Sequence, residues 1–211
     1  MKYNKNAVIL DAQPLFGELL ALMLEKYELF KFVKTFNHKS ELIQFLIERG
    51  DEEIYVFVDY YLEGDSGLSI LSEARRLNRF AKVLFITNAS SPYVLKNIQL
   101  AKPDAIISKN CSLDAITQAL YASSIKSFYM DPYLQDLLDA KEDTDAGYEV
   151  LTVRETEILN YFAQGLSVLE TAQRTFLSKH TIVSHRRNIM AKTKTNSIGQ
   201  LLMLAKEKEL I

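Results

Sequence analysis

Residues 55–59 read Tyr-Val-Phe-Val-Asp, an unbroken apolar run that ends in a carboxylate. Aromatic and β-branched residues in such a run predict a strand that is buried on both faces of a parallel sheet. Asp59 would then lie at the carboxyl end of this strand, the edge at which open α/β sheets bind their ligands. An aspartate at a strand end can equally begin a turn. Both interpretations stay open when this stretch is considered alone.

Strand-like and amphipathic helical runs alternate on both sides of this stretch. Four further strands are predicted at residues 7–10, 30–36, 82–86 and 105–107. Helices are predicted between and after them at residues 14–27, 40–50, 68–76, 91–100 and 113–122, with Ser40 and Ser112 as amino-terminal caps. On the first helix, the predicted apolar face consists of Leu15, Leu19, Leu22 and Leu24. Five strands that alternate with five helices predict a doubly wound, five-stranded parallel sheet.

Four chemically distinctive residues follow the predicted strands, namely Asp11, Asp59, Thr87 and Lys109. A carboxylate that accepts a phosphoryl group needs a divalent cation to offset charge, a hydroxyl for one phosphate oxygen and a cation for another. Each residue also has a plainer interpretation, because strand-end Asp and Thr are commonly caps and a single lysine is commonly solvated. Four such residues at one sheet edge arise by chance much less often, so the pattern indicates a phosphoryl-acceptor site.

Composition indicates an ordinary globular protein. The chain has 211 residues, 48% of them hydrophobic, and a single cysteine, Cys111, which excludes a disulfide within the chain. We find no signal peptide and no apolar run near the roughly 18 residues of a membrane helix, so we expect a cytoplasmic protein without a membrane partner. An enzyme is disfavoured and no catalytic residue is assigned, because the sequence has no nucleophile with an adjacent base, no paired-histidine metal motif and no glycine-rich phosphate loop.

The net charge changes sign along the chain. Residues 1–150 contain 16 Lys+Arg against 22 Asp+Glu, a net charge of -6, whereas residues 151–211 contain 9 against 5, a net charge of +4. A small basic module behind an acidic one suggests that the carboxyl-terminal part meets a polyanion. A chance imbalance is the alternative on charge alone.

Helix-start signals are clear in the basic part. Thr152 with Glu155, and Ser167 with Glu170, each have the spacing of a capping box. Ser178 caps a third helix that extends to about residue 192, and a fourth is predicted at residues 197–208. Two short helices joined by a tight turn, the second of them basic, predict a helix-turn-helix within a small all-α domain of four helices.

The third helix is predicted to contact DNA. At about 100° per residue, Ile182 and Ile189 share one face, and the polar and basic residues lie on the other. Cations there would bind phosphates, while amide, hydroxyl and methyl groups would read base edges. The candidate DNA-binding residues are Lys179, His180, Thr181, Val183, Ser184, Arg186, Arg187, Asn188 and Lys192.

The two parts together resemble a two-component response regulator of the NarL/FixJ type, with an atypical receiver. Residues 7–122 are similar to a receiver domain of flavodoxin-like fold, which carries Asp11, Asp59, Thr87 and Lys109 in the family's positions. The LuxR-type helix-turn-helix pattern is followed through residue 205 at Leu151-Thr152-Val153-Arg154-Glu155, Gly165-Leu166-Ser167, Leu177-Ser178, Thr181-Ile182-Val183-Ser184-His185 and Asn188-Ile189. The implied domains are a receiver at 1–122, a linker with a short helix at 123–150 and the DNA-binding domain at 151–211.

The resemblance implies roles for the strand-end residues. Asp59 is the phosphoacceptor, Thr87 the switch hydroxyl and Lys109 the phosphate-contacting lysine; Asp11, Asp59 and the backbone carbonyl of Tyr61 would hold Mg2+. Ala12 replaces a second acid that normally ligates the metal, so the predicted Mg2+ site is weakened. Three other departures are Glu63 for a common proline, Ile106 for the usual aromatic switch residue and Val183 for a lysine that faces DNA.

Two mechanisms are compatible with this sequence. In the first, a histidine kinase phosphorylates Asp59 and the receiver releases a DNA-binding domain that binds double-stranded DNA as a homodimer. In the second, which the missing acid at Ala12 slightly favours, the receiver works without phosphorylation as a docking or dimerisation module. The apolar residues Leu201, Leu202 and Leu204 of the last helix could pack in their own domain or in a dimer, and packing in the domain core is the safer prediction.

Overall fold

A parallel sheet forms the centre of the amino-terminal part in the computed structural model, which describes residues 5–62, 65–139 and 149–211. The strands are β1 (Asn6–Leu10), β2 (Phe32–Phe36), β3 (Ile54–Val58), β4 (Tyr61–Leu62), β5 (Asp65–Ser66), β6 (Lys82–Thr87), β7 (Ala105–Ser108) and β8 (Tyr129–Met130). Six of them form the sheet in the order β2-β1-β3-β6-β7-β8, and every neighbouring pair is parallel. β4 and β5 form a separate antiparallel hairpin beyond β3.

Helices cover the sheet and continue into the carboxyl-terminal part. Those of the amino-terminal part are α1 (Pro14–Lys26), α2 (Lys39–Glu48), α3 (Gly67–Leu77), α4 (Pro92–Leu100), α5 (Leu113–Ser124) and α6 (Pro132–Asp139). The carboxyl-terminal part consists of α7 (Val153–Ala163), α8 (Val168–Thr175), α9 (Lys179–Lys192) and α10 (Ile198–Glu207). Among the described residues, no helix is both long and apolar enough to cross a membrane.

The apolar run of β3 is buried on both sides, as predicted. All five of its residues are buried, with Tyr55 and Phe57 in one core cluster and Val56 and Val58 in the other. Successive side chains of a strand point to opposite faces, so a strand covered on both faces must be apolar at every position. The doubly wound α/β fold inferred from this run is therefore confirmed.

The sheet has six strands instead of the predicted five. β8 pairs in parallel with β7 through Ala105↔Tyr129 and Ile106↔Met130. Leu134 and Leu138 of α6 are only 1% and 6% exposed. The strand was missed because a two-residue edge strand is too short to show a period of two. We propose that the receiver extends through α6 to residue 139, beyond the predicted boundary at 122; the acidic stretch expected at residues 140–147 lies outside the described residues.

The predicted apolar face of α1 is mostly wrong. Leu20 and Leu24 are buried, whereas three of the four predicted leucines are 57–69% exposed, namely Leu15, Leu19 and Leu22. The helix has two apolar stripes at helical spacing, one of which includes the buried Gly17. Periodicity alone does not choose between two such stripes, because only the neighbouring strand decides which of them is covered.

The helix caps that the sequence predicts are present, with one exception. Both predicted capping boxes are present, and the hydroxyls of Ser112 and Ser178 accept hydrogen bonds at the starts of α5 and α9. Ser40 is not a cap, because α2 begins at Lys39 and its N-cap residue, His38, has no side-chain cap bond. A helix can begin without such a bond when its apolar face is well buried, as that of α2 is by Leu42 and Leu46.

The four carboxyl-terminal helices bury apolar side chains that include Ile158, Leu159, Ile182, Ile189 and Leu201. Leu201 is fully buried, and Leu202 is a partly buried neighbour of the same apolar cluster. Leu201 is therefore covered within the single chain and is not available to a dimer surface. This cluster is continuous with the core of the receiver on the face that carries α3 and α4, so the two parts share an apolar contact.

Candidate functional site

Four neighbouring strands, β1, β3, β6 and β7, bring the predicted acceptor-site residues to one edge of the sheet. Asp59 follows β3, and its N–H donates to the carbonyl of Leu10 at 3.1 Å, beside Asp11. Lys109 follows β7, and its N–H donates to the carbonyl of Thr87 at 2.9 Å. Parallel strands in register place their carboxyl ends together, which is why residues 98 positions apart in the chain can form one site.

Lys109 links both carboxylates of this site. Its Nζ lies 2.8 Å from Oδ2 of Asp59, and 2.9 Å and 2.8 Å from Oδ1 and Oδ2 of Asp11. The Lys109 side chain is 3% exposed, and the ring of Phe16 lies 4.6 Å from Nζ. One ammonium among two carboxylates leaves a net negative charge in a site with little water. Such a cluster can accept an electrophilic phosphoryl group and then hold it through the lysine.

Burial is the main influence on Asp59. It raises the pKa of this carboxyl above the ordinary value, and the neighbouring Asp11 raises it further, while Lys109 and Thr87 oppose the shift. Oδ1 of Asp59 is buried and has no hydrogen-bond partner among the described residues. Asp59 therefore has an unbonded buried oxygen and shares one lysine with a second carboxylate. Both features indicate a reactive carboxylate and not a residue whose role is to begin a turn.

The raised pKa predicts that Asp59→Asn is more stable than the wild type at neutral pH. Ionised Asp59 destabilises the folded receiver, because its folded-state pKa lies above the unfolded value of about 3.9. The gain should shrink as pH falls towards that value, where the wild-type carboxyl is protonated in both states. Thermal unfolding from pH 4 to pH 8 measures the difference. The exposed Asp51→Asn is the control for the loss of one charge, and an equal or lower midpoint for Asp59→Asn at pH 7 would contradict the prediction.

Thr87 is fully buried beside Asp59. Its hydroxyl oxygen accepts a hydrogen bond from the N–H of Ala89 at 3.2 Å, which shapes the loop that leads into α4. The same hydroxyl lies near enough to Asp59 to lower the pKa of that carboxyl. Thr87 therefore interacts with both Asp59 and the loop that follows β6.

The residues at the carboxyl edge of the sheet are poorly suited to tight binding of Mg2+. Among the described residues, no group of three His, Cys, Asp or Glu side chains could hold a metal. Asp11 and Asp59 are both already paired with Lys109. Beside Ala12, where the second acid would stand, lies a cavity of about 520 Å³ whose lining also includes Asn37, His38 and Lys39. Mg2+ prefers several oxygen ligands in near-octahedral geometry, which two lysine-paired carboxylates do not supply.

The polar face of α9 is accessible, as the sequence predicts. Ile182 and Ile189 are fully buried, whereas the opposite face carries exposed Lys179, His180, Val183, Arg187 and Asn188. Thr181, Ser184 and Arg186 are half-buried on the flanks. Nothing in the part of the chain that the structure describes bonds to the side chains of Lys179 or Arg187. A solvent-exposed helix with free cations and amide groups has the form of a nucleic-acid interface.

Lys192 has a structural contact at the end of the same helix. Its Nζ donates to Oε2 of Glu155 at 2.6 Å, and the Glu155 residue is 4% exposed. Although burial opposes it, Lys192 and the capping bonds of Thr152 hold the pKa of Glu155 below its ordinary value. Lys192 therefore ties α9 to the start of α7. Sequence spacing does not show this role, because the pair is 37 residues apart.

The contacts between the receiver and the carboxyl-terminal helices were not predicted from the sequence. Tyr61 and the loop after β6 bond to Glu209, and the hydroxyl of Tyr93 donates to the carbonyl of Glu149. Phe16, beside Lys109, was also missed. Contacts between distant segments leave no periodic signal, so only the folded chain reveals them.

A buried Asp-Lys-Asp cluster at the carboxyl edge of a doubly wound sheet, joined to a helix-turn-helix with an exposed basic helix, defines a receiver with a nucleic-acid-binding output. Residues 149–205 match the family described as bacterial regulatory proteins, luxR family. The Fimbriae Z protein of Salmonella typhimurium is 26% identical over 208 residues, which cover 98% of each chain. The nitrate/nitrite response regulator protein NarP of Escherichia coli is 28% identical over 148 residues, which cover 67% of each chain.

Among solved structures, RcsB from Salmonella enterica serovar Typhimurium, bound to promoter rprA in the presence of the phosphomimetic BeF3-, is similar with a TM-score of 0.74 and 23% identity. The match covers 94% of this chain and 96% of RcsB, and it shows a shared fold over both domains. The carboxyl-terminal part therefore matches the LuxR-type domain, and the chain as a whole is similar to response regulators of the NarL/FixJ type.

Proposed function

We propose that this chain is a transcription regulator that binds double-stranded DNA as a homodimer under the control of its receiver domain. The exposed face of α9 supports this most directly, because its side chains are unpaired and nothing from the receiver covers them in the described part of the chain. One helix-turn-helix reads a single half-site, so two copies supply register and affinity. We also propose that the protein is located in the cytoplasm and has no catalytic activity of its own.

In the receiver, we assign Asp59 as the phosphoacceptor. A carboxylate oxygen of Asp59 attacks the phosphorus of a phosphohistidine on a partner kinase, the P–N bond breaks, and the imidazole leaves with the bonding electrons. Lys109 would then pair with a phosphoryl oxygen, and the Thr87 hydroxyl would donate to another. The buried, partly unneutralised Asp59 supports this assignment.

The phosphorylation-independent alternative is not favoured. The relatives include a response regulator by name, and the related RcsB was solved with a phosphomimetic present. The proximity of Lys109 and Thr87 to Asp59, despite Ala12, supports the phosphorylation mechanism. The absence of an acid at Ala12 lowers the expected affinity for metal but leaves Asp59 itself intact.

The metal proposal is that Asp11, Asp59 and the Tyr61 carbonyl bind Mg2+ weakly. Restoring an acid with Ala12→Asp should tighten Mg2+ binding by about tenfold or more, since it adds an oxygen ligand beside the existing pair. Calorimetric titration of the full chain with Mg2+ measures the affinity. Ala12→Asn is the control for side-chain size, and equal Mg2+ affinity in the wild type and Ala12→Asp would contradict this assignment.

Binding to DNA tests the proposed function as a whole. The wild-type chain should bind double-stranded promoter fragments, and the logarithm of its affinity should fall linearly with the logarithm of the salt concentration. Competition titrations at several salt concentrations measure both quantities. If the chain did not bind DNA even at low salt, the proposed function would be contradicted.

A further inference from the structure

Phe176 is the most exposed large apolar side chain in the described part of the chain. It is 94% exposed, whereas the next in order, Met203, is 73% exposed. The ring therefore adds almost nothing to the buried core. Single apolar residues are common on protein surfaces, so exposure by itself does not indicate a role. At Phe176, however, the backbone conformation also disfavours this type of residue.

The backbone at this position favours glycine. Phe176 is the C-cap residue of α8 and has a φ of 55° and a ψ of 32°, in the left-handed region. The other non-glycine residues with a positive φ in the described part of the chain are all lysines or glutamates. A bulky aromatic residue is an outlier in this conformation. Folding alone therefore does not account for Phe176, and an unexplained outlier of this kind points to function.

The turn that carries Phe176 is held by bonds on both sides. The N–H of Leu177 donates to the carbonyl of Ala172 at 3.0 Å, which closes the end of α8. The guanidinium of Arg154, on α7, donates to the carbonyl of Thr175 at 2.9 Å. Leu177 also packs against the apolar core. The backbone of the turn is therefore fixed, while the ring of Phe176 extends into solvent.

This turn leads directly into the helix that is assigned to DNA. Ser178, two residues after Phe176, is the N-cap residue of α9, and Lys179 and His180 in the first turn of α9 are exposed. In a helix-turn-helix, the amino-terminal residues of the second helix reach base edges, while the first helix crosses the sugar-phosphate backbone. The turn between the two helices therefore approaches the strand that borders the groove. The apolar groups of DNA at that place are deoxyribose carbons and thymine methyls.

We propose that Phe176 is a DNA-contacting residue whose ring packs on the apolar surface of one strand, next to the cations of α9. This contact adds affinity without charge, because an apolar ring releases no counterions from DNA, whereas a lysine bound to phosphate does. The strained backbone conformation serves this contact, since it holds the ring outside the domain. The inference rests on the proposed function, because it needs a helix-turn-helix bound to DNA.

Phe176→Asn tests this contact in the full chain, because asparagine tolerates the left-handed conformation but has no apolar ring. Affinity for a promoter fragment that the wild type binds should fall by about tenfold, while the thermal midpoint stays equal or rises. The slope of log affinity against log salt should stay the same, because no phosphate bond is lost. Phe176→Tyr keeps a ring and should recover most of the lost affinity. Phe80→Asn makes the same change at a receiver residue that is 42% exposed, and it should not alter DNA affinity.

DNA that contains deoxyuridine in place of thymidine distinguishes the two apolar partners. Uracil lacks the methyl group of thymine, so an advantage of the wild type over Phe176→Asn that disappears on this DNA assigns the ring to thymine methyls. An advantage that persists assigns the ring to deoxyribose. Both results support the contact, and we expect the second, because the turn borders the strand and does not enter the groove.

Wild-type affinity in Phe176→Asn, or an equal loss in Phe80→Asn or Phe176→Tyr, would overturn the proposal. A lower thermal midpoint in Phe176→Asn would also overturn it, because the ring would then support the fold. A smaller salt slope would show a contact with phosphate and refute an apolar one. If the wild type itself binds no DNA at low salt, the proposed function fails together with this inference. Unchanged affinity in the variant of a wild type that does bind overturns the role of Phe176 alone.

Discussion

Replacing Gly67 with alanine is expected to lower the free energy of unfolding of the receiver by about 3 kcal/mol, at the upper end of typical overpacking costs. Gly67 is the first residue of α3, and its N–H donates to the carbonyl of Tyr60 at 2.9 Å. A Cβ atom there would lie 2.2 Å from the carbonyl oxygen of Asp59 and 2.8 Å from Cε1 of Phe85. The first contact is with backbone, which no change of rotamer relieves.

The same substitution should displace the acceptor. Since the atom that must move belongs to Asp59, the phosphorylation rate from a small phosphodonor should fall together with the stability. Urea unfolding and intact mass after incubation with the phosphodonor measure the two effects.

Gly199→Ala is the matched control for Gly67→Ala. Gly199 lies in α10, and a Cβ atom there has no neighbour within 4 Å. Alanine in that helix should stabilise the chain by about 0.5–1 kcal/mol. A Gly67→Ala protein as stable as Gly199→Ala would refute the close approach between α3 and the acceptor strand.

Replacing Arg187 with alanine is expected to weaken binding to DNA by about 100-fold or more at moderate salt. Arg187 is exposed on the polar face of α9 and has no bond in the described part of the chain. A charge-assisted bond to phosphate contributes about 1.5–3 kcal/mol, and a homodimer loses two of them. If Arg187 contacts phosphate, the slope of log affinity against log salt should decrease by about two for the dimer.

Competition binding over a salt series measures both the affinity and the slope of the Arg187 variant. Arg76→Ala removes the same side chain from an exposed position on α3 of the receiver, and it should change neither quantity. A specific loss of affinity without a change of slope would mean that Arg187 contacts a base edge and not a phosphate. Full affinity in Arg187→Ala would contradict the assignment of α9 as the DNA-contacting helix.

Much of the fold could be predicted from the sequence, because it depends on interactions between residues that are close together in the chain. The run that ends at Asp59 had to be a doubly buried strand because it offers no polar position to solvent. Both capping boxes fixed the starts of α7 and α8 because each is completed within four consecutive residues. The partners of Asp59 were predictable because parallel strands bring their carboxyl ends together whatever lies between them.

Other features could be recognised only in the folded structure. The leucines of α1 form two stripes, and only contact with the sheet decides that Leu20 and Leu24 are buried. Lys192 is predicted to contact DNA, and only the folded chain shows that its Nζ pairs with the buried Glu155. Both cases depend on a neighbour that is remote in sequence, which periodicity and spacing do not encode.

The sequence by itself therefore predicted the α/β part, the residues gathered around Asp59 and the exposed basic helix α9, because each is specified by short-range pattern or by strand order. Tertiary structure alone decided how the domains are joined. The bonds of Glu209 with Tyr61 and Ser90 span 148 and 119 residues, and they form only once the two cores are packed together. These contacts come from the relative placement of the domains, and no local propensity of either segment predicts them.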